Sequence, residues 1–263
     1  MSKALEGRTA IVYGAAGGIG TGISTAFAAA GAHVFLVGRT KETVDTLAAE
    51  IIAAGGKAEA AVLDALDEEA VAGHAAAVVA QTGRLDISLN LITRGDVQGI
   101  PLIEMTADDL LRAVDTGLRG NFITAKVAGR HMVEQGSGVI IALNSGSAHN
   151  SPMMGSTGPA DAALDTFVRN LALEVGPRGV RAVGIWAAGV PDTLSPEKIG
   201  AVNGALMDET MFQGVLDRLD SLRTLPRSPR LAQVADAAVF LASDASAALT
   251  GTFLNATGGM FTS

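Results

Sequence analysis

Residues 8–20 read Arg-Thr-Ala-Ile-Val-Tyr-Gly-Ala-Ala-Gly-Gly-Ile-Gly, and this stretch decides the fold. Its first half is apolar and partly β-branched and runs up to a glycine, which predicts a short buried strand over 8–14. The glycines of 14–20 then allow a sharp backbone turn into a helix that ends near Gly31. A glycine turn between a first strand and a first helix is typical of a loop that receives a pyrophosphate at the helix N-terminus. A tight turn without a ligand is the alternative.

The rest of the chain alternates between strand and helix patterns. Further strands are predicted at 32–38, 60–63, 86–91, 138–144, 181–186 and 252–255. Strands separated by helices predict an α/β fold with a doubly wound parallel sheet, a Rossmann fold, in a single domain over 1–263. Among the helices, 106–134 is predicted to begin with a capping box at Thr106. Residues 189–228 carry three prolines and break the alternation, so we predict a substrate loop or lid inserted within the domain.

Composition narrows the class of protein. The 263 residues include 48% hydrophobic residues, carry a net charge of −8 and contain no cysteine. An acidic chain does not suit a nucleic-acid partner, and the lack of cysteine excludes thiolate metal sites; we expect no metal. The first eight residues show no apolar signal segment, and no apolar run is long enough for a membrane span. We therefore expect a soluble cytoplasmic protein with a small-molecule substrate.

The end of the second predicted strand indicates which nucleotide the protein binds. Arg39 follows Gly38 there, at the place where a carboxylate would bind the ribose hydroxyls of NAD. An arginine can instead pair with a 2′-phosphate, so NADP(H) is favoured over NAD(H). Gly17 offers no second basic anchor. A solvated surface arginine is the alternative.

Several of these motifs together resemble the short-chain dehydrogenase/reductase family. They are Gly14-x-x-x-Gly18-x-Gly20, Leu63-Asp64, the run 85–90, the strand and turn 181–189, and the C-terminal 240–259. The resemblance implies a nicotinamide cofactor and a set of residues that bind it. The candidates are Gly14, Gly18, Ile19, Gly20, Arg39, Asp64, Ala65, Asn90 and Thr193.

The same resemblance implies a catalytic set of asparagine, serine, tyrosine and lysine, and most of it is replaced. Ser145 occupies the serine position, whereas Gly117, Thr157 and Asp161 stand at the positions of asparagine, tyrosine and lysine. Tyr13 is the only tyrosine, and no lysine occurs between 126 and 198, so no change of alignment restores the pair.

These replacements leave the proton donor open. Ser145 is predicted to donate a hydrogen bond to the substrate carbonyl, or else to cap the end of its strand. Asp161 in place of an ammonium would oppose an oxyanion and favour a cation, unless it only faces the dipole of its own helix as a first-turn acid. Thr157 can form hydrogen bonds but is a poor acid. His149 has a suitable intrinsic pKa for a replacement acid, or is an exposed loop histidine.

Three functions follow from this sequence. The first is an NADP(H)-dependent oxidoreductase with a non-standard active site. The second is a non-redox enzyme on the same fold (an isomerase, lyase or cyclase) that uses Asp161 or His149 as a base. The third is a catalytically silent nucleotide-binding subunit. The resemblance also places subunit contacts on the helices 106–134 and 159–176, and the expected assembly is a homotetramer.

Overall fold

The protein, described by a computed structural model, contains one seven-stranded sheet within residues 3–148, 151–203 and 206–261. The strands are β1 (Thr9–Tyr13), β2 (His33–Gly38), β3 (Lys57–Val62), β4 (Ile87–Asn90), β5 (Gly138–Asn144), β6 (Val180–Trp186) and β7 (Phe253–Asn255). Eight α-helices accompany them in the same residues. They are α1 (Gly18–Ala29), α2 (Lys41–Ala53), α3 (Glu68–Thr82), α4 (Ala107–Gln135), α5 (Thr157–Val175), α6 (Pro196–Asn203), α7 (Glu209–Ser221) and α8 (Leu231–Ala242).

The order of the strands creates a crevice at the carboxyl ends of the parallel strands. All strand pairs are parallel, and the order is β3-β2-β1-β4-β5-β6-β7. The chain runs outward from β1 to β3 and then crosses back to place β4 on the other side of β1. Ligands of open α/β sheets bind at such a switch point, outside the carboxyl ends of the strands. The predicted Rossmann fold in a single domain is therefore confirmed.

The central strand β1 is buried on both faces. Ala10 and Val12 belong to the hydrophobic cluster on one side of the sheet, and Ile11 and Tyr13 belong to the cluster on the other. This alternation follows from the two-residue period of a strand. Tyr13 is fully buried, and its hydroxyl has no hydrogen-bond partner in the described part of the chain. Burial raises the pKa of Tyr13 well above its ordinary value. The only tyrosine thus belongs to the core.

The strand at the sheet edge differs from its prediction. It covers Lys57–Val62 instead of 60–63, and its register with β2 begins at the pair Lys57 and His33. Only Ala58 of this edge strand is buried, so Lys57 and Glu59 can belong to it although the sequence shows no apolar run there.

Two other predictions concern helix ends and the inserted segment. The Thr106 hydroxyl accepts a hydrogen bond from the Asp109 amide (3.1 Å) and donates to the Asp109 carboxylate (2.8 Å). Thr106 therefore caps α4, but the Asp109 side chain binds this hydroxyl and not the Thr106 amide, so only half of the predicted capping box is formed. Residues 189–228 contain a 3₁₀ turn at Pro191–Thr193 and then α6 and α7. Their role as a lid stays a prediction. Among the described residues, no helix combines the length and the apolar character that a membrane crossing requires.

Candidate active site

The glycine turn, residues 14–20, has a shape that excludes larger side chains at two positions. Gly14 has a φ of +75°, and a Cβ there would lie 2.6 Å from the Leu91 carbonyl oxygen. A Cβ on Gly20 would lie 2.2 Å from the carbonyl oxygen of Gly14. Helix α1 begins at Gly18 without a side-chain cap, and the first turn of a helix leaves amide groups without partners inside the helix. The turn therefore offers close backbone approach and free donors to an anionic group.

A cavity of about 240 Å³ opens beside the glycine turn, at the carboxyl ends of β1 to β4. Four of the predicted cofactor residues line it together: Gly14, Arg39, Asp64 and Ala65. Arg39 is exposed at its rim, and the Asp64 carboxylate accepts a hydrogen bond from the Leu66 amide (3.0 Å). Thr43, Leu66 and Thr116 also line the wall, and no motif in the sequence indicates them.

The other predicted cofactor residues surround the turn without lining this cavity. The Cβ of Thr193 would lie 2.9 Å from a Cβ built on Gly18, so the Pro191–Thr193 turn packs directly on the start of α1. Ile19 packs against the core. The Asn90 side chain donates to the Thr124 hydroxyl (3.0 Å) and accepts from the Ile92 amide (3.1 Å), so it holds the turn that follows β4. Their contacts with a cofactor stay predictions.

Asp161 lies at the centre of a buried group of polar side chains beside the end of β5. Its side chain is fully buried. One carboxylate oxygen, Oδ2, accepts hydrogen bonds from the Ser145 hydroxyl (2.5 Å), the Ser145 amide (3.1 Å) and the Ser147 amide (3.0 Å). The other, Oδ1, accepts from the Arg94 guanidinium (2.7 Å). Four donors thus hold this carboxylate, which explains how a charge is tolerated inside the fold.

The alternative that Asp161 only serves its own helix as a first-turn acid is wrong. Helix α5 begins at Thr157 with Ser156 as its N-cap, and Asp161 lies beyond the first turn. Its carboxylate accepts hydrogen bonds from the end of β5 and from the segment after β4. A buried carboxylate gains more from donors of this kind than from a helix dipole that is worth at most about 2 kcal/mol.

Arg94 is central to this site although no motif in the sequence indicates it. It follows β4, and its guanidinium binds Asp161 on one side and Asp96 on the other, at 2.7 Å in both cases. Burial lowers the pKa of Arg94, but the charges of Asp96 and Asp161 outweigh burial and raise the pKa above its ordinary value. One cation therefore faces two carboxylates.

Gly117 makes room for Arg94. A Cβ on Gly117 would lie 2.6 Å from Cδ of Arg94, so the arginine side chain crosses α4 at this glycine. The sequence contained one signal of this arrangement, since a glycine in the middle of the long helix α4 costs about 1 kcal/mol relative to alanine. Glycine is needed at this position because the Arg94 side chain packs against it.

Thr157 binds the far end of the same group. Its hydroxyl donates to Asp96 Oδ1 (2.8 Å) and accepts from the Gln98 side-chain amide (2.9 Å). Because a hydroxyl has a single proton, Thr157 has none left for a substrate. We call Ser145, Asp161, Arg94, Asp96 and Thr157 the polar cluster.

Asp165 lies one helical turn after Asp161 and stabilises the strand end next to the polar cluster. Its Oδ1 accepts from the Asn144 amide (2.8 Å) and the indole of Trp186 (3.2 Å), and Arg169 lies 3.7 Å from its Oδ2. Asn144 also accepts a hydrogen bond from the Gly146 amide (3.0 Å), so the loop that carries Ser145 is fixed at its base. His149, the predicted replacement acid, lies outside the described residues.

A parallel sheet with a glycine turn at its switch point defines a doubly wound α/β protein of the dinucleotide-binding type. Comparison with known proteins identifies the family. A family model described as enoyl-(acyl carrier protein) reductase matches residues 14–261. The D-threitol dehydrogenase of Mycolicibacterium smegmatis is 32% identical and aligns with 97% of this chain and 93% of its own. The chain belongs to the short-chain dehydrogenase/reductase family of oxidoreductases.

Solved structures agree with this assignment. The structure of a 7α-hydroxysteroid dehydrogenase complexed with NADH and 7-oxo glycochenodeoxycholic acid has a TM-score of 0.81, with 26% identity over 98% of this chain and 96% of its own. An NAD⁺-bound xylitol dehydrogenase has a TM-score of 0.86 over 98% of this chain and all of its own, and at 24% identity it shows the fold alone.

Proposed function

We propose that the protein is an NADP(H)-dependent oxidoreductase whose reacting site is formed by Ser145 and Asp161 in place of a tyrosine and lysine pair. One observation carries the proposal: the Ser145 hydroxyl lies 2.5 Å from a buried carboxylate at the end of β5. Strand β5 is the neighbour of β4 in the sheet, so this pair belongs to the same crevice as the glycine turn. A hydroxyl paired with a carboxylate can take part in proton transfer with a substrate oxygen.

The glycine turn fits a dinucleotide. A Cβ at Gly14 or Gly20 would overlap neighbouring backbone carbonyl groups, so glycine at these positions keeps the tight turn that lets a pyrophosphate approach the backbone. Arg39 at the rim of the cavity can pair with a 2′-phosphate. Asp64 and Ala65 would contact the adenosine half, and Gly18, Ile19, Asn90 and Thr193 would contact the rest of the cofactor. When bound, the nicotinamide would supply the hydride chemistry, while the protein's own residues orient the substrate and handle its proton.

The polar cluster assigns different tasks to its members. Thr157 uses its proton on Asp96, so it serves as a fixed wall of the site and not as an acid. Ser145 is partly exposed, as are Arg94 and Asp96, and it is the hydroxyl of the cluster that a substrate can reach, because Thr157 is buried. Asp161 is the acceptor behind it. The mechanism therefore has no phenol, and Tyr13 takes no part in it because its hydroxyl is buried in the core.

Calorimetric titration with NADPH, NADP⁺, NADH and NAD⁺ tests the cofactor half of the proposal. We expect NADPH and NADP⁺ to bind more tightly than the other two, because only they carry the 2′-phosphate that Arg39 can pair with. The two solved structures named above contain NAD⁺ and NADH, so tighter binding of NADPH and NADP⁺ would distinguish this protein from them. Failure of all four nucleotides to bind would contradict the proposal.

Turnover tests the chemical half. A panel of small alcohols and carbonyl compounds, followed by absorbance at 340 nm, should reveal at least one substrate. Ser145→Ala and Asp161→Asn should each abolish that activity while leaving nucleotide binding intact. Turnover that survives both substitutions would exclude these two residues as the reacting pair.

A catalytically silent nucleotide-binding subunit is the second candidate. The observation in its favour is the saturation of Asp161 by four donors, which leaves the carboxylate without free capacity. Tight nucleotide binding without turnover of any compound in the panel would support it.

We further propose that the enzyme acts on a small molecule in the cytoplasm as a homotetramer, with residues 189–228 as a lid. A groove of about 520 Å³ on α4 supports the assembly, because it is open and its apolar wall includes the exposed Leu111 and Phe122. Phe122→Glu should lower the mass measured by light scattering from that of a tetramer. An unchanged mass would remove this groove from the interface.

A further inference from the structure

We propose that Arg94 keeps Asp161 ionised and thereby makes the Ser145 hydroxyl a hydrogen-bond acceptor, so that the site selects the alcohol form of its substrate over the carbonyl form. Arg94 is a positioning residue in this arrangement, and Ser145 is the residue that touches the substrate. The inference rests on the proposed function, since it names the class of substrate for the same site. It reverses the role of carbonyl donor that the sequence predicts for Ser145.

The hydrogen-bond donors around Asp161 indicate that its carboxylate carries no proton. Its Oδ2 accepts from two backbone amides, of Ser145 and Ser147, and backbone amides can only donate. Its Oδ1 accepts from the Arg94 guanidinium, which also can only donate. Oδ2 already accepts three hydrogen bonds and Oδ1 faces a cation, so the ionised carboxylate fits the observed contacts.

The second step follows the single proton of Ser145. An ionised Asp161 cannot donate, so in the 2.5 Å contact between the two side chains Ser145 must be the donor. The Ser145 hydroxyl also lies 2.6 Å from the buried hydroxyl of Ser147, where either oxygen could donate. Because the proton of Ser145 is committed to Asp161, Ser147 must donate in that contact. Ser145 then has one free acceptor site and no free proton.

The third step concerns Arg94 and Gly117. The guanidinium can reach Asp161 only because Gly117 has no side chain, since a Cβ there would lie 2.6 Å from Cδ of Arg94. Asp96 binds the opposite edge of the guanidinium through Nε (3.2 Å) and an Nη atom (2.7 Å) and so fixes its plane. Bidentate contacts of this kind give an arginine a defined orientation. Arg94, Gly117 and Asp161 therefore form one interdependent unit.

The consequence for the substrate is direct. A carbonyl oxygen can only accept, so it finds no donor on Ser145 or Thr157, whose protons are both committed. A hydroxyl can donate to Ser145. One guanidinium against two carboxylates also gives the polar cluster a net negative charge, which disfavours an oxyanion.

Binding of a matched pair of probes, cyclohexanol and cyclohexanone, tests the inference. Dissociation constants are measured by saturation-transfer NMR titration of the full chain with saturating NADP⁺, and absorbance at 340 nm reports any turnover separately. We expect cyclohexanol to bind roughly fivefold more tightly, the factor that one net hydrogen bond provides. Ser145→Ala should remove the difference, and the matched control Ser147→Ala should keep it. A preference for the ketone, or no difference between the two, overturns the inference.

Substitutions of Arg94 test its positioning role. Arg94→Lys keeps the charge and should keep the preference for cyclohexanol. Arg94→Met leaves Asp161 to take up a proton, so Asp161 can donate to Ser145, and the preference should move toward cyclohexanone. If Arg94→Met yields no folded protein, Arg94→Gln takes its place, because it keeps donors without the charge. An unchanged alcohol preference in the uncharged variant overturns the role of Arg94. None of these readouts requires turnover, so loss of the proposed activity and loss of this inference are separate results.

Discussion

The glycine turn and the polar cluster lie at neighbouring strand ends of one crevice, yet different interactions shape them. The glycine turn is defined by backbone contacts, such as the 2.2 Å that would separate a Cβ on Gly20 from the Gly14 carbonyl oxygen. The polar cluster is defined by charges, such as the 2.7 Å contact between Arg94 and Asp161, which are 67 residues apart in the chain. Substitutions in the glycine turn should therefore destabilise the protein by steric overlap, whereas substitutions in the polar cluster should destabilise it by leaving a charge unpaired.

Asp161→Lys should have the largest effect on stability. It places a second cation beside the guanidinium of Arg94 in a buried position, and we expect the free energy of unfolding to fall by about 3–5 kcal/mol. Urea denaturation measures the loss. The control is Asp45→Lys, which brings two like charges together at the exposed Lys41 on α2 and should cost much less. Equal losses of unfolding free energy in the two variants would show that burial of the polar cluster does not raise the cost of placing like charges together.

Gly20→Ala tests the steric region. The new Cβ would overlap the Gly14 carbonyl, so we expect a loss of about 1–3 kcal/mol in the free energy of unfolding. Nucleotide binding, measured by calorimetry, should be lost with it. Gly73→Ala in α3 is the control, because nothing lies within 4 Å of its added Cβ and the helix should gain up to about 1 kcal/mol. A Gly20→Ala variant that binds nucleotide normally would refute the close backbone approach.

Arg39→Ala should change nucleotide choice without changing the fold. Because a hydrogen bond to a charged group is worth about 1.5–3 kcal/mol, NADPH binding should weaken by that amount while NADH binding stays the same. Calorimetry on both nucleotides measures the difference. Arg130→Ala, which removes another exposed arginine far along α4, should alter neither. Parallel weakening of both nucleotides by Arg39→Ala would argue against 2′-phosphate recognition.

Gly117→Ala connects helix stability with the polar cluster. Alanine should stabilise α4 by about 1 kcal/mol, but its Cβ would lie 2.6 Å from Cδ of Arg94 and displace the arginine. We therefore expect Gly117→Ala not to raise the free energy of unfolding of the natural protein, and to raise it by the full amount when Arg94→Ala is also present. Urea denaturation of the four proteins gives this comparison. The same gain in both backgrounds would mean that Gly117 is not needed to accommodate Arg94.

Tyr13→Phe should have the smallest effect. It removes a buried hydroxyl without a partner in the described residues, so the free energy of unfolding should rise by at most about 1 kcal/mol. Turnover should not change, since the hydroxyl lies in the core. A large loss of activity would reinstate Tyr13 as a participant in the chemistry.

The contrast between the two regions also explains which residues the sequence could identify. One cavity wall contains Gly14, Arg39, Asp64 and Ala65 because parallel strands end on the same side of the sheet. The sequence pattern predicts where each strand ends, so these residues could be identified from the sequence. Asp161 and Thr157 were visible as unusual residues, but their partners were not. Arg94 and Asp96 lie in an irregular segment after β4, and nothing in their neighbours along the chain indicates a partner at 161 or 157.

The sequence alone predicts the order of strands and helices, the glycine turn and the burial of β1, and it contains no second tyrosine. These properties depend on the local periodicity of apolar residues and on the positions of glycine, which can be read directly along the chain. The folded structure was needed to show that Asp161 pairs with Arg94, that Gly117 accommodates this arginine and that Ser145 donates to a buried carboxylate. A buried charge takes whichever donors the folded chain brings within about 3 Å, and those donors come from segments that meet only after folding.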